Sequence, residues 1–141
     1  LNESPLVRGE IKVIDPSRFA GWDGLVESFP DASVFHGAGW ANVLAETYGH
    51  RPLYFCRFLD RDLDAVLPVC ELRSVLTGKR GVSLPFADIC SPLVKHGDLS
   101  DLYRAAVEQG RERGWRYLEC RGDTPGWQDA TEAVSFFAHT L

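Results

Sequence analysis

Residues 80–120 read RGVSLPFADICSPLVKHGDLSDLYRAAVEQGRERGWRYLEC, and the order of elements inside this stretch decides the fold. Residues 80–84 have the apolar content of a strand. Pro85 and Pro92 interrupt any ladder beyond it, because proline has no amide proton to give. Asp98 then offers a helix N-cap, and Leu99, Leu102, Tyr103, Ala106 and Val107 recur at helical spacing, so one apolar stripe faces a core. Arg111 and Arg113 fall in the last turn, where cations complement the helix dipole. Residues 116–120 return to a strand. A helix between two strands of one sheet makes a right-handed crossover, so these two strands are expected to run parallel.

Upstream, residues 10–14 predict a short strand. Asp15 can act as an N-cap, with Pro16 at the first helical position, and Phe19, Trp22, Val26 and Phe29 predict a helix over 16–29 that Pro30 ends. Gly21 and Gly24 weaken that helix by about 1 kcal/mol each relative to alanine, so burial has to hold it. A second helix is expected over 37–48, with Trp40, Val43, Leu44, Thr47 and Tyr48 on one face and Gly49 as its stop. The period then changes. Residues 52–59 and 63–73 flank Asp60-Arg61-Asp62 and predict a β-hairpin, in which Pro68 marks an edge or a bulge. After residue 120 a turn-rich RGDTPGWQD leads to a last strand around 133–140. The order β-α-α-β-β-β-α-β-β is that of an α/β protein of α+β type, a mixed sheet flanked by helices.

The chain has 141 residues, enough for one domain with a single core. Its 45% apolar and 25% charged residues are those of an ordinary globular protein, and its apolar runs are too short to span a bilayer. A formal charge of −5 argues against a nucleic-acid face, and equally against membrane-surface binding through a basic patch. Cys56, Cys70, Cys90 and Cys120 show neither CxxC nor metal-ligand spacing, so they read as reduced, mostly buried thiols of a cytoplasmic protein, with no metal. The N-terminus shows no signal peptide. With no methionine and a start at Leu1-Asn2-Glu3, the chain reads as a processed product or an excised piece of something longer.

The element order is similar to the GNAT acyltransferase fold. There the helix after the fourth strand commonly receives the acyl-CoA pyrophosphate on a glycine-rich turn of pattern R/Q-x-x-G-x-G/A. Here that place reads PFADICSPLVKHGD: two prolines without N–H groups, an Asp88 that repels phosphate, and no glycine before Gly97. This half is therefore expected to bind no CoA. The wording resembles a narrower group. VFHGAGWANVLAETYGHRPLYF at 34–55 and LDAVLPVCELRSVLTGKRGVSLPFADICSPLV at 63–94 look like the N-terminal half of FemAB-like proteins, transferases of peptidoglycan and polysaccharide biosynthesis. Phe35, His36, Trp40, Gly49, Leu67, Pro68, Ser83, Pro85, Phe86, Asp88 and Cys90 match that pattern, and Val69 departs from it where leucine is usual.

The resemblance implies two GNAT-like halves with substrate between them or along the first. It implies an aminoacyl-tRNA or acyl-CoA donor for the parent, a small-molecule or lipid-linked amine acceptor, and no direct nucleic-acid binding by this half. Residues 1–141 are then one GNAT-like domain, the acceptor-side first half, expected to be inactive alone. The alternative is a non-catalytic ligand-recognition module of the same shape.

Asp88 is the candidate catalytic residue, since acyl transfer to an amine needs a proton acceptor; its other role is to hold a turn beside Pro85. His36, Ser83, Phe86 and Cys90 are the candidate substrate-binding residues, expected to share one concave surface. Cys90 has no activating base near it in the sequence, which favours a packed or lining thiol over a nucleophile. Phe35 and Trp40 read as core. Lys79 and Arg80 form either a solvated hairpin turn or a phosphate contact. The final strand carries Val134, Phe136 and Phe137 on both faces, which predicts self-association or cover by the missing second half.

Overall fold

The computed structural model describes residues 9–83 and 90–121. Strand β1 (Glu10–Ile14) forms as expected, and Asp15 caps a 3-10 turn at Pro16–Arg18, its Oδ1 accepting the Ser17 N–H at 3.0 Å. The helix expected over 16–29 is instead two pieces, that turn and α1 (Trp22–Val26). Gly21 separates them at φ 80°, a left-handed conformation that glycine adopts without the strain of a side chain. Trp22, Val26 and Phe29 are buried as their spacing requires, whereas Phe19, on the far side of the break, is 37% exposed.

Helix α2 (Ala38–Tyr48) ends at Gly49 as expected. Its buried face is a different one: Ala41 and Leu44 are enclosed, while Val43 and Tyr48 are substantially exposed. The small Ala41 lets the helix lie close on the sheet, and Trp40 turns aside to meet Phe35 edge-on, with centroids 5.1 Å apart. Two side chains of α1 hold the start of α2. Trp22 Nε1 donates to the His36 carbonyl at 2.8 Å, and Asp23 Oδ1 accepts the Ala38 N–H at 2.8 Å.

The hairpin forms from β3 (Tyr54–Leu59) and β4 (Asp62–Leu67), extended by β2 (Arg51–Pro52) and β5 (Cys70–Ser74). Pro68 interrupts the second arm, and a Leu53 N–H to Val69 carbonyl bond of 2.8 Å bridges the break. The bend sets two four-stranded ladders end to end. One has the order β1-β3-β4-β7, where β7 is Leu93–Val94; the other has the order β2-β5-β6-β8, where β6 is Gly78–Val82 and β8 is Trp115–Glu119. Helix α3 (Ser100–Arg113) crosses from the first ladder to the second, and β6 and β8 run parallel as the crossover rule requires.

The layers follow from strand alternation. Tyr54, Cys56, Phe58, Leu63 and Val66 pack with Trp22, Leu44 and Phe29 on the α1–α2 side. Phe55, Ala65 and Leu67 pack with Leu99, Leu102, Tyr103 and Ala106 of α3 on the other. The alternation skips once: Phe58 faces Leu63 but Arg57 faces Ala65, so Asp64 is an extra residue turned toward Arg57. Such a bulge re-aims a side chain, and here it delivers a carboxylate to the α3 side. The segment 84–89, with Phe86 and Asp88, and the strand expected at 133–140 lie outside the described residues. Among the described residues no helix is long and apolar enough to cross a membrane.

Candidate functional site

Of the sequence candidates, His36 and Cys90 meet across 54 residues of chain. The Ser33 N–H donates to His36 Nδ1 at 3.0 Å, which leaves the proton on Nε2; that N–H in turn donates to the Ser91 carbonyl at 2.8 Å. Cys90 Sγ lies 3.4 Å from the same nitrogen. Both residues are 2% exposed, and burial moves both pKa values away from the charged forms: His36 is lowered, and the Cys90 thiol is pushed up to about 12. With its Nε2 proton given to Ser91, the imidazole offers Cys90 no base, and the contacts clip the 33–36 turn to the 90–91 segment.

Ser83 is 3% exposed at the carboxyl end of β6. Its N–H donates to the Glu119 carbonyl at 2.8 Å, and its Oγ accepts the Arg121 N–H at 2.6 Å. In open α/β sheets ligands commonly enter at the carboxyl ends of parallel strands. Here β6 and β8 are stitched together at that point.

The start of α3 is where the GNAT comparison would place phosphate. Asp98 Oδ1 accepts the Ser100 Oγ–H at 2.6 Å and the Ser100 N–H at 3.0 Å, and these bonds hold its carboxyl below the usual range. Asp101 Oδ1 accepts the Leu102 N–H at 2.9 Å. Arg57, 5% exposed, reaches under the turn, donating to the His96 carbonyl at 2.6 Å, the Asp98 carbonyl at 2.8 Å and Asp101 Oδ1 at 2.8 Å, while pairing with Asp64 at 2.8 Å. The positive end of the helix is thus occupied by two carboxylates of its own chain, and a further anion would meet them first.

Sequence reasoning missed this network, and with it the contact of His96 Nδ1 to Asp64 Oδ1 at 2.7 Å. A buried carboxylate thus orients one ring nitrogen of a histidine whose side chain is 66% exposed. The bulge at Asp64 has no local signature, so nothing near His96 in the sequence announces it. Among the described residues no cluster of three or more His, Cys, Asp or Glu side chains is placed to hold a metal.

Among the described residues a groove of about 800 Å³ lies on the α1–α2 side. Val26, Phe29, Trp40 and Val43 give it an apolar, aromatic floor, and Asp23 and Glu27, four residues apart on one face, put two carboxylates at its edge. Trp40 Nε1 is buried with no hydrogen-bond partner among the described residues. Carboxylates and an indole lining one groove suit a cationic amine.

No protein-family model matches the chain, and no curated protein matches it in sequence. Solved structures do match in shape. A ribosomal-protein-alanine N-acetyltransferase from Brucella melitensis biovar Abortus 2308 superposes with a TM-score of 0.57 at 16% identity, over 94% of this chain and 99% of that one. A GNAT family acetyltransferase from Staphylococcus aureus gives 0.58 at 10% identity, over 94% and 98%. An aminoglycoside acetyltransferase from an uncultured soil metagenomic sample, in complex with trehalose, gives 0.57 at 15% identity, over 94% and 95%. At these identities the likeness is one of fold. The chain has a GNAT-like fold, a mixed sheet between a two-helix layer and a crossover helix.

Proposed function

We propose that this chain is the acceptor-side GNAT-like half of a FemAB-like acyl- or aminoacyl-transferase, whose amine acceptor belongs to a cell-wall or polysaccharide precursor. The observation that carries the reading is the start of α3. In a GNAT-like frame it is the natural phosphate seat, yet Asp98, Asp101 and Arg57 fill it with an internal ion network. The donor, an aminoacyl-tRNA or an acyl-CoA, is then held by a second half of the parent. The acidic, indole-floored groove beside α1 and α2 takes the amine. Asp88 stands as the proton acceptor carried by the family resemblance.

Calorimetry tests both halves of this statement. Acetyl-CoA is expected to give no micromolar binding to the chain, whereas glucosamine or a lysine-bearing muropeptide binds and loses about fivefold in affinity on Glu27→Gln. Micromolar affinity for acetyl-CoA overturns the reading in favour of a free-standing acetyltransferase. A second reading, a recognition module without catalysis, is favoured by the internal bonds that engage His36, Ser83 and Cys90. It is separated from the first by whether Asp88→Asn abolishes turnover in the parent while leaving acceptor affinity intact.

A further inference from the structure

The turn between β5 and β6 carries two aliphatic side chains with nothing against them. Val75 is 105% exposed and Leu76 91%, the most exposed large apolar residues described. The turn is not loose. Ser74 Oγ accepts the Leu76 N–H at 3.2 Å and the Thr77 N–H at 3.4 Å, and the Arg80 guanidinium donates to Thr77 Oγ1 at 3.3 Å. The two residues are therefore held outward by a braced turn, at the expense of water contact that a polar turn would avoid.

A collar of cations stands directly behind them. Arg73 and Lys79 are cross-strand partners on one face of the hairpin. Arg80 lies on the other face by strand alternation, with the Arg116 guanidinium of β8 3.3 Å from the position a Gly78 Cβ would take. Residues 72–80 contain no carboxylate, in a chain whose net charge is −5. The nearest acid, Glu71, is taken up by Arg113 and Trp115, and Arg73, though it touches Glu71 at 3.3 Å, remains 61% exposed. Arg73, Ser74, Val75, Gly78 and Lys79 line a shallow hollow of about 360 Å³ beside the tip, with room for an anionic headgroup.

We propose that the 73–80 hairpin is a membrane-surface anchor: Val75 and Leu76 enter the acyl–headgroup boundary of an anionic bilayer while Arg73, Lys79, Arg80 and Arg116 meet lipid phosphates. The shape selects a bilayer over a protein. A stable protein interface needs about 800 Å² on each partner, and two side chains on a convex tip present far less. Lipids close around a protrusion, and the cation collar adds its own attraction to an anionic surface. The net charge of −5 argues against a basic patch on a membrane, but charges beyond about 8–10 Å are screened at physiological salt, so the local collar, not the net charge, faces the lipid. The assignment rests on no part of the proposed acyl transfer.

Co-sedimentation of the whole chain with vesicles of mixed phosphatidylglycerol and phosphatidylcholine tests it. Binding is expected to anionic vesicles and not to pure phosphatidylcholine, and to weaken as salt rises. Val75→Ser with Leu76→Ser should lower the partition coefficient about tenfold. Lys79→Gln with Arg116→Gln should lower it about fivefold per cation. Unchanged circular dichroism confirms that these surface variants fold. The proposal is overturned if wild-type chain does not bind anionic vesicles at low salt, or if the Val75/Leu76 variant binds as well as wild type. It is equally overturned if those two residues instead mediate a dimer in ultracentrifugation, which would make a second copy the occupant.

Discussion

The Ser33 amide decides what His36 can do. By donating to Nδ1 it fixes the neutral ring with its proton on Nε2, and burial keeps the pKa below the ordinary 6.5. Between that lowered value and 6.5 the unfolded chain binds more protons than the folded one. The stability this histidine contributes is therefore complete above about pH 6.5 and falls as the pH drops toward the folded pKa. His50 is shifted in the same direction by burial and by Arg80, so it adds to the same slope. His36→Gln is expected to cost about 1–2 kcal/mol at pH 7.5, from the lost bonds, and to flatten the dependence of Tm on pH between 7 and 5 without abolishing it. Calorimetric scans across that range check this; a slope unchanged in the variant would mean His36 is not buried neutral. The sequence made His36 a candidate through its place before a helix, but which ring nitrogen is spoken for depends on Ser33 and Ser91, and only the fold brings Ser91 to it.

Helix α3 shows a rule of local propensity overridden at one position. Gly110 lies mid-helix, where alanine is ordinarily better by about 1 kcal/mol. Here a Cβ would stand 2.6 Å from Trp115 Cε3, because the indole is slotted between Gly110 of α3 and Gly81 of β6. Its Nε1–H is fixed on Glu71 Oε2 at 2.6 Å, so the ring has no room to retreat. Gly110→Ala is therefore expected to destabilise the protein by about 1–3 kcal/mol, opposite to the helix scale. Urea denaturation gives the sign directly: a more stable variant would mean the indole moves freely. The stripe of Leu99, Leu102, Tyr103 and Ala106 was legible as the buried face from spacing alone. The role of Gly110 was not legible there, since its reason lies on strands that pack across it.

At the scale of the molecule, Glu71 joins the sheet to the crossover. Arg113 from the end of α3 grips it through two bonds, and Trp115 at the start of β8 adds a third. Chiefly through Arg113, its carboxyl falls from 4.5 to about 2. The stability from this group is thus present in full above about pH 4.5 and is lost as pH falls toward 2, a window below that of His36. Glu71→Gln leaves Arg113 with a neutral partner and is expected to cost about 3 kcal/mol at pH 7. The difference should shrink to a small remainder near pH 2, where about half of the wild-type carboxyl is itself protonated. Thermal scans at both pH values decide it: a gap that persists undiminished at pH 2 would assign the loss to packing instead of charge.

The extents of α2, α3, β1 and the hairpin strands derive from features a few residues apart: 3.6-residue and two-residue periodicities, and Gly49 as a stop. Even the parallel pairing of β6 and β8 is set this way, because chain handedness leaves one way to cross. The joining of distant groups has no such local source. The Asp64 bulge, the seating of Arg57 beneath the α3 turn, the closing of β6 on β8 at Ser83 and the burial of Ala41 in place of Val43 each depend on which faces meet in three dimensions. Periodicity states that a face is apolar; close packing of the layers decides which side chains fill it and which polar groups must pair once water has been excluded.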